Sequence, residues 1–223
     1  MKPRFLELFC GTKSMTKAFK EEGFDTLSVD MNWRFLPDIA VNILDWDRSL
    51  LPAGFIPDVI WASPPCQGFT IIDVNRNWTK RGKVAVPISE RAVLGVILVK
   101  KTLEIIKDLH PLYWFIENPR GMLRTQSVVR GLLRNTVTYC QYGEYYQKPT
   151  DIWTNCTSWD PKPPCKAGAR CHVASQRGWS HMGVMGLKDA TERAKIPIAL
   201  CREIAGASMR GYREQNQDRL RLV

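Results

Sequence analysis

The sequence has few histidines, no long apolar run and no surplus of acidic side chains. Its 223 residues include three histidines, and none lies beside a predicted strand end, so a histidine-based hydrolase is disfavoured. No apolar run approaches the roughly 18 residues that a membrane span requires, and we expect no membrane partner. The first residues lead directly into a strand-like segment, which predicts that no signal peptide is present.

Cysteine usage argues against a disulfide scaffold. The seven cysteines are an odd number and no secretion signal accompanies them, which indicates a reducing compartment such as the cytoplasm. The hydrophobic fraction of 44% and the charged fraction of 24% are ordinary for a globular protein. This length suffices for one substantial core, or for a core and a small lobe.

Basic side chains exceed acidic ones by 32 to 22, which gives a net charge of +10. This balance favours a polyanionic partner, although a merely basic surface is the alternative. One basic cluster lies in or beside the segment that follows Cys66, and it consists of Arg76, Lys80, Arg81, Lys83 and Arg91. Its position suggests that the polyanion is a substrate.

Apolar patterning predicts an α/β fold whose parallel sheet is covered on both faces. The predicted strands are 5–10, 25–30, 38–44, 58–62, 112–116, 136–141 and 152–154. The predicted helices are 14–22, 90–109, a short one ending near 133, one starting near 188 and one over 198–207. We expect a catalytic core at 1–155, an irregular Cys/His-rich recognition lobe at 156–187, and at 188–223 a C-terminal helix that returns to the core plus a basic tail. From Arg210 onward we expect this tail to be polar and frayed.

The predicted strand ends carry the residues that chemistry would need. Cys66 follows the fourth strand on a turn stiffened by two prolines, which makes its thiol a candidate nucleophile. Gly11 follows the first strand, Asp30 ends the second and Asp45 ends the third, whereas Glu117 and Asn118 end the fifth. Each is by itself more typical of a turn or a helix cap, but together they indicate a ligand site at one edge of the sheet.

Three motifs resemble those of the DNA cytosine-5 methyltransferases. Glu-Leu-Phe-Cys-Gly at 7–11 is similar to that family's opening cofactor turn, Pro-Pro-Cys-Gln-Gly-Phe at 64–69 to its nucleophile turn, and Phe-Ile-Glu-Asn at 115–118 to its Glu-Asn turn. The resemblance covers residues 4–154. The stretch 142–155, with the Cys/His segment after it, resembles a compact subfamily common in bacteriophages.

The resemblance implies a covalent mechanism on a cytosine that has left the DNA duplex. The Cys66 thiolate would add to carbon 6, and carbon 5 would then take a methyl group from S-adenosylmethionine. Glu117 would hydrogen-bond the N3 edge of the base, while Asn118 and Pro65 would shape the pocket. Gln67 and the segment 68–87 would close over the DNA.

The resemblance also implies the cofactor contacts, which would come from Phe9, Gly11, Thr12, Asp30, Met31, Asp45 and Pro64. Asp30 would hold the ribose and Asp45 the adenine amino group. Either Met31 or Trp33 would cover the adenine ring.

Phosphate contacts are expected from Arg76, Lys80, Arg81 and Lys83, with Arg177 of the lobe also facing DNA. Trp78 would either stack on a base or pack in the core. The family's Gln-x-Arg-x-Arg motif here reads Gln-Lys-Pro-Thr-Asp at 147–151, so neither arginine is present. Lys148 is our candidate for the missing cation.

The lobe suggests a structural zinc site. Cys156, Cys165, Cys171 and His172 are the predicted ligands, with Cys140 and His181 in reserve; free buried cysteines are the alternative. So small a lobe predicts relaxed or short sequence recognition.

Two alternatives to DNA methylation remain open: methylation of RNA cytosine, and a catalytically weak DNA-binding protein that keeps the fold. We expect a monomer in the cytoplasm of a bacterium or a phage-infected host. By resemblance, it would act in restriction-modification by protecting a genome from nucleases.

Overall fold

A computed structural model describes residues 2–81, 84–166, 168–173, 184, 187 and 189–221. Its strands are β1 (Arg4–Leu8), β2 (Asp25–Asp30), β3 (Ile39–Ala40), β4 (Val59–Ala62), β5 (Trp78–Arg81), β6 (Val84–Pro87), β7 (Tyr113–Pro119), β8 (Arg134–Thr138) and β9 (Pro149–Thr154). Its α-helices are α1 (Ser14–Glu21), α2 (Val74–Asn77), α3 (Glu90–Leu109), α4 (Ala190–Ala194) and α5 (Ile198–Arg221).

Seven strands form one sheet in the order β3-β2-β1-β4-β7-β9-β8. The first five in that order are parallel, whereas β9 runs antiparallel to both β7 and β8. The predicted α/β class is therefore confirmed, with a sheet that is mostly rather than wholly parallel. β5 and β6 form a separate antiparallel hairpin.

Both faces of the sheet are buried because apolar side chains on each strand alternate between two cores. On β4, Val59 and Trp61 belong to one core, and Ile60 and Ala62 belong to the other. The first core includes side chains of α1 and α5, and the second includes side chains of α3. The central strands are thus held rigidly from both sides.

The two best-patterned helices form where the sequence predicts them. α3 begins after Ser89, whose hydroxyl accepts a 3.1 Å hydrogen bond from the Ala92 N–H, and it ends at His110 in a left-handed conformation. α1 ends one residue earlier than expected. A lysine, Lys13, precedes α1 without a side-chain cap.

Three local expectations were wrong. The C-terminal tail is not frayed, because α5 continues to Arg221 and still buries Met209 and Gly211. The third strand is only two residues long, since the Asn42 side chain accepts from the Leu44 N–H and starts a 3₁₀ turn over Ile43–Asp45. Instead of a short helix near residue 133, there are two 3₁₀ turns, Met122–Thr125 and Ser127–Val129.

The segment expected to close over DNA contains α2 and the β5–β6 hairpin. Trp78 in this segment is buried, donates its indole N–H to the Gly68 carbonyl oxygen at 2.6 Å and stacks on Phe69. Of its two expected roles, the structure therefore shows packing. It fastens the hairpin to the nucleophile turn.

Residues 155–173 of the lobe form no helix and no strand beyond one isolated bridge, as far as the structure describes them. None of the helices in the described ranges is long and apolar enough to cross a membrane.

Candidate active site

The main site residues predicted from the sequence lie on the side of the sheet where its parallel strands have their carboxyl ends. β1, β2, β4 and β7 are parallel: Phe9 and Cys66 follow the ends of β1 and β4, and Asp30 ends β2. Glu117 lies two residues before the end of β7, which continues beyond the predicted end at 116 because it pairs with β9 as far as Pro119. β2 and β4 lie on opposite sides of β1, which makes this the point where the strand order reverses. Ligands of open α/β sheets bind at such a point.

The nucleophile turn is tied to the end of β7. The Asn118 side-chain amide donates a 2.9 Å hydrogen bond to the Pro64 carbonyl oxygen, and both residues are buried. Further along, the Met122 N–H donates to the Phe69 carbonyl oxygen at 2.8 Å. Cys66, half-buried between these two bonds, is therefore held against the Glu-Asn turn. Gln67 and Pro65 are exposed beside it.

Glu117 is a buried carboxyl at this turn. Burial raises its pKa, and the positive charge of Lys148 and hydrogen bonds from Ser63 and Tyr139 oppose that rise. The Tyr139 hydroxyl lies 3.4 Å from Oε1. A carboxyl in this environment is able to carry a proton closer to neutral pH than an exposed glutamate would.

The Cys66 thiol has a pKa above its ordinary value. Burial is the largest cause and the charge of Glu117 adds to it, whereas the charges of Lys148 and Arg193 lower the pKa. The thiol and the carboxyl thus affect each other: protonating Glu117 removes a charge that opposes the Cys66 thiolate.

Lys148 is not on the surface that would meet DNA phosphates. It is buried, its Nζ donates to the Arg193 carbonyl oxygen at 2.7 Å, and it lies 4.8 Å from the centre of the Tyr139 ring. This placement suits the role of a cation near the reacting base, which the sequence suggested, better than a role in phosphate binding.

Arg124, from a different part of the chain, brings a guanidinium to the stretch that lacks the family's two arginines. Asp151 stands at the second arginine position of that motif, is fully buried and accepts a 2.9 Å hydrogen bond from Arg124 Nε. Arg124 Nη2 also contacts the same carboxylate and the Thr136 hydroxyl. Sequence reasoning missed Arg124, Tyr139 and Arg193. A carboxylate on a buried strand was the one available sign that a cation must lie nearby.

The turn that follows β1 is hydrogen-bonded to the end of β2 and has free space beside Gly11. The Asp30 carboxylate accepts from the Gly11 N–H at 3.0 Å and from the Asn32 N–H at 2.8 Å. Gly11 has φ 45°, and a Cβ added there would meet no atom within 4 Å. Met31 and Trp33, which closely follow Asp30 in the sequence, are 70% and 68% exposed. A ligand with an apolar ring and polar groups fits this surface.

The remaining predicted cofactor and phosphate contacts are at the surface or outside the described residues. Thr12 lies on the same turn as Gly11, with its hydroxyl 3.0 Å from that of Ser14, and Asp45 is exposed at the end of its 3₁₀ turn. Arg76 and Lys80 are exposed on α2 and β5. Arg81 follows Lys80 on β5. Lys83, Arg177 and His181 lie outside the described residues.

Three of the four predicted zinc ligands, Cys165, Cys171 and His172, lie together, and Cys140, which was the reserve candidate, completes the group. Cys156 is instead buried in the core, with its Sγ 3.2 Å from the Ser158 hydroxyl. The reason is that Cys156 lies two residues after the end of β9, and the Thr154 hydroxyl accepts from its N–H at 2.9 Å, so its side chain packs under α5.

A cleft of about 350 Å³ lies on the opposite side, where the parallel strands have their amino ends. It is lined by Lys2, Asp58, His110 and Tyr212 among others, near the amino ends of the strands. None of the candidate catalytic residues borders this cleft, so we assign no part of the active site to it.

The fold is that of α/β methyltransferases. A DNA modification methyltransferase assigned to a prophage of E. coli superposes with a TM-score of 0.51 at 14% identity, over 74% of this chain and 53% of that chain. A methyltransferase of Entamoeba histolytica gives a TM-score of 0.48 at 13% identity, over 73% and 55%. This chain spans about half the length of these two proteins.

No protein-family model matches the sequence. A probable DNA (cytosine-5)-methyltransferase of Frog virus 3 (isolate Goorha) is 31% identical over 219 residues, which cover 90% of this chain and 98% of that protein. The chain belongs to the DNA (cytosine-5)-methyltransferase family.

Proposed function

We propose that this protein transfers a methyl group from S-adenosylmethionine to carbon 5 of cytosine in DNA, with Cys66 as a covalent nucleophile. The observation that carries the proposal is the juxtaposition of the Cys66 turn with the buried Glu117 carboxyl, clamped by the Asn118–Pro64 hydrogen bond. Family membership supports DNA cytosine as the substrate.

Cys66 supplies the activation that carbon 5 lacks. The thiolate adds to carbon 6, and the electron pair of the carbon 5–carbon 6 double bond moves to carbon 5. Carbon 5 would then form a bond to the methyl carbon while the bond between that methyl and the sulfonium sulfur breaks, and S-adenosylhomocysteine leaves with the electron pair. A base next removes the proton from carbon 5, the double bond forms again and the carbon–sulfur bond breaks. The thiolate returns and the cytosine leaves methylated.

Glu117 stabilises the charge that develops during this addition. Its raised pKa favours the protonated carboxyl, which donates a hydrogen bond to N3 of the base and draws electron density away from the ring. The same protonation removes the negative charge that opposes the Cys66 thiolate. Lys148 adds a fixed positive charge beside both groups.

The position of Cys66 requires the base to leave the helix. The thiol is half-buried within the turn at 64–69, and a base stacked within a duplex cannot bring carbon 6 to it. We propose that Gln67 and the segment 68–87 close over the extruded nucleotide. Arg76, Lys80, Arg81 and Lys83 would then contact phosphates.

The residues at the first two strand ends fit S-adenosylmethionine, which supplies an electrophilic methyl group when bound. Phe9, Gly11 and Thr12 would face its methionine and ribose part. Asp30 retains free lone pairs for ribose hydroxyls, because each of its oxygens accepts one backbone N–H. Met31 or Trp33 would cover the adenine, with Asp45 at its amino group and Pro64 facing the methyl donor.

The covalent step is tested with duplex DNA that carries 5-fluorocytosine. Fluorine replaces the proton that must leave carbon 5, so the adduct with Cys66 persists. With S-adenosylmethionine present, the wild-type protein is expected to give a protein–DNA complex that survives denaturation, and Cys66→Ser is expected to give none. Peptide mass spectrometry should place the DNA on Cys66.

Cys156→Ser is the matched control, since Cys156 is buried outside the site. It should trap DNA as the wild type does. An adduct formed by Cys66→Ser, or methyl transfer that survives this substitution, would overturn the mechanism. Parallel reactions with RNA separate the two polymers, and faster methylation of RNA would move the substrate assignment to RNA.

A further inference from the structure

We propose that Cys140, Cys165, Cys171 and His172 bind one structural zinc ion, which fastens the irregular segment 155–173 to a wall of the active site. The four ligand atoms all lie within 4.8 Å of one another. Neither the family's chemistry nor the proposed function requires this metal, so the proposal rests on the geometry of these side chains.

The separations fit a tetrahedral zinc site. With zinc–sulfur bonds of about 2.3 Å and zinc–nitrogen bonds of about 2.05 Å, tetrahedral geometry places two sulfurs about 3.8 Å apart and a sulfur and a nitrogen about 3.5 Å apart. Cys171 Sγ lies 3.7 Å from Cys140 Sγ and 3.4 Å from His172 Nδ1. Cys165 Sγ lies 3.6 Å from His172 Nδ1 and 3.2 Å from Cys140 Sγ.

Neighbouring amides are placed to stabilise thiolates. The Gln147 side-chain amide donates to Cys165 Sγ at 3.0 Å, and the Gln141 amide donates to Cys171 Sγ at 3.4 Å. Hydrogen bonds of this kind orient the ligands of a metal site and favour their ionised form. A donor set of three thiolates and one imidazole is typical of structural zinc.

The first part of the segment is anchored, because Cys156 and Trp159 are buried in the first core. The part after residue 160 needs another tie, because few of its described side chains are buried. Much of its polar stretch is exposed, including Lys162, Pro163 and Lys166. Backbone attachments of this later part include the Lys162 N–H, which donates to the Tyr142 hydroxyl at 3.0 Å, and the Cys165 N–H, which donates to the Thr138 hydroxyl at 2.9 Å. The Val173 N–H donates to the Tyr145 carbonyl oxygen at 2.8 Å. Short irregular segments are commonly held by metal ligands instead of apolar packing.

The proposed zinc site is adjacent in sequence to residues that act on the Glu117 carboxyl. Cys140 directly follows Tyr139, whose hydroxyl contacts Glu117. Gln147, which donates to Cys165, directly precedes Lys148. The metal therefore holds in place the stretch from which Tyr139 and Lys148 reach the Glu117 carboxyl.

Metal analysis of protein purified without a histidine tag tests the proposal. We expect one zinc per chain in the wild type after exhaustive dialysis. Cys140→Ser and His172→Asn should each lower the zinc content at least fivefold. Cys156→Ser should keep it, which separates this site from the ligand set that includes Cys156. A wild-type content below half an equivalent, or equal losses in Cys140→Ser and Cys156→Ser, would overturn the proposal.

A thiol titration distinguishes a zinc site from a disulfide. Wild-type protein prepared without reductant and denatured with a chelator should show all seven thiols, whereas a disulfide within the cluster would leave five and count against zinc. Chelation of the native protein should accelerate tryptic cleavage after Lys166 and Arg170, of which both side chains are exposed. Because these readouts need neither DNA nor methyl transfer, their failure would leave the catalytic proposal intact. Unchanged cleavage after zinc removal would show that the ion does not hold the segment.

Discussion

The side chain of Asn118 donates a 2.9 Å hydrogen bond to the carbonyl oxygen of Pro64 and so joins the ends of β7 and β4. The bond is buried, and its two residues lie close in sequence to the proposed catalytic pair: Pro64 lies two residues before Cys66, and Asn118 follows Glu117. This side-chain bond therefore adds to the β4–β7 pairing and to the Met122–Phe69 bond in positioning the thiol against the carboxyl.

Asn118→Ala should separate the role of this clamp from general stability. Loss of the donor leaves the Pro64 carbonyl oxygen unpaired, which costs about 1–2 kcal/mol of unfolding free energy. We expect the single-turnover methylation rate to fall at least about tenfold, because a small displacement of the nucleophile is costly. Denaturant titration and quenched-flow methylation measure the two effects.

Asn155→Ala is the matched control for Asn118→Ala. Asn155 also joins neighbouring strands, since its amide donates to the Leu112 carbonyl oxygen at 3.0 Å and its oxygen accepts from the Trp114 N–H at 2.8 Å. It lies at the other end of β7 from Cys66. Equal losses of rate in the two variants would show that the clamp acts only through stability.

Lys148→Met should raise the pKa of Cys66. The lysine charge lowers the pKa of both the Cys66 thiol and the Glu117 carboxyl, so its removal leaves burial less opposed. The rate of Cys66 alkylation by iodoacetamide, followed by peptide mass spectrometry, should reach its midpoint at higher pH than in the wild type. Lys162→Met removes a lysine placed 5.0 Å from another tyrosine ring, that of Tyr142, and should not move the midpoint. A wild-type profile for Lys148→Met would contradict the electrostatic role.

The Arg124–Asp151 pair should contribute to stability far more than an exposed pair. Asp151 is fully buried, so Arg124→Met leaves an unpaired buried carboxylate at a cost of about 3 kcal/mol. The double variant with Asp151→Asn should recover part of this loss. Arg202→Met, which breaks an exposed 3.0 Å pair with Glu21, should cost less than about 1 kcal/mol. Urea denaturation of the four proteins measures the difference, and similar costs for the two arginines would refute the assignment.

Glu7 should make the fold less stable as pH rises. Burial raises its pKa to about 7, against hydrogen bonds from Thr16 that lower it. The folded protein therefore holds a proton that the unfolded chain releases at lower pH, and unfolding becomes easier between about pH 4.5 and pH 7. Relative to Glu7→Gln, the wild type should lose about 3 kcal/mol of unfolding free energy across this range. Denaturant midpoints at pH 4.5, 6 and 8 test this, with the exposed Glu21→Gln as control; parallel curves for the wild type and Glu7→Gln would contradict it.

Gly121→Ala should disturb the nucleophile turn through the backbone. A Cβ at this position would lie 2.2 Å from the Phe69 carbonyl oxygen, so the turn or the end of β7 must shift. We expect a loss of about 1–3 kcal/mol in stability and a lower methylation rate. Gly206→Ala, whose Cβ would make an ordinary 3.7 Å contact in α5, should be neutral or stabilising. Normal methylation by Gly121→Ala would show that the close approach is not needed.

Local sequence patterns predicted the central elements well, and they failed where a distant partner decides the outcome. α3 and β2 were predicted with the bounds that the structure shows, since their apolar spacing and end signals lie within the segments themselves. The continuation of α5 depends on the start of β7, because Gly211 of α5 fits closely against the ring of Tyr113. The polar residues of the tail gave no sign of that contact.

Short motifs and strand patterns predicted the α/β class, and they predicted that the turn at 64–69 and the Glu117–Asn118 pair come together beyond parallel strands. The surroundings of Cys66 could not be predicted in this way, because contacts between distant parts of the chain form them. Lys148, Tyr139 and Arg193 come from separate parts of the chain, and burial sets the pKa directions of the thiol and the carboxyl. The same holds for the presence of Cys140, and not Cys156, beside Cys165, Cys171 and His172. Spacing along a chain cannot show which of two cysteines turns into the core, since that choice depends on packing between elements far apart in sequence.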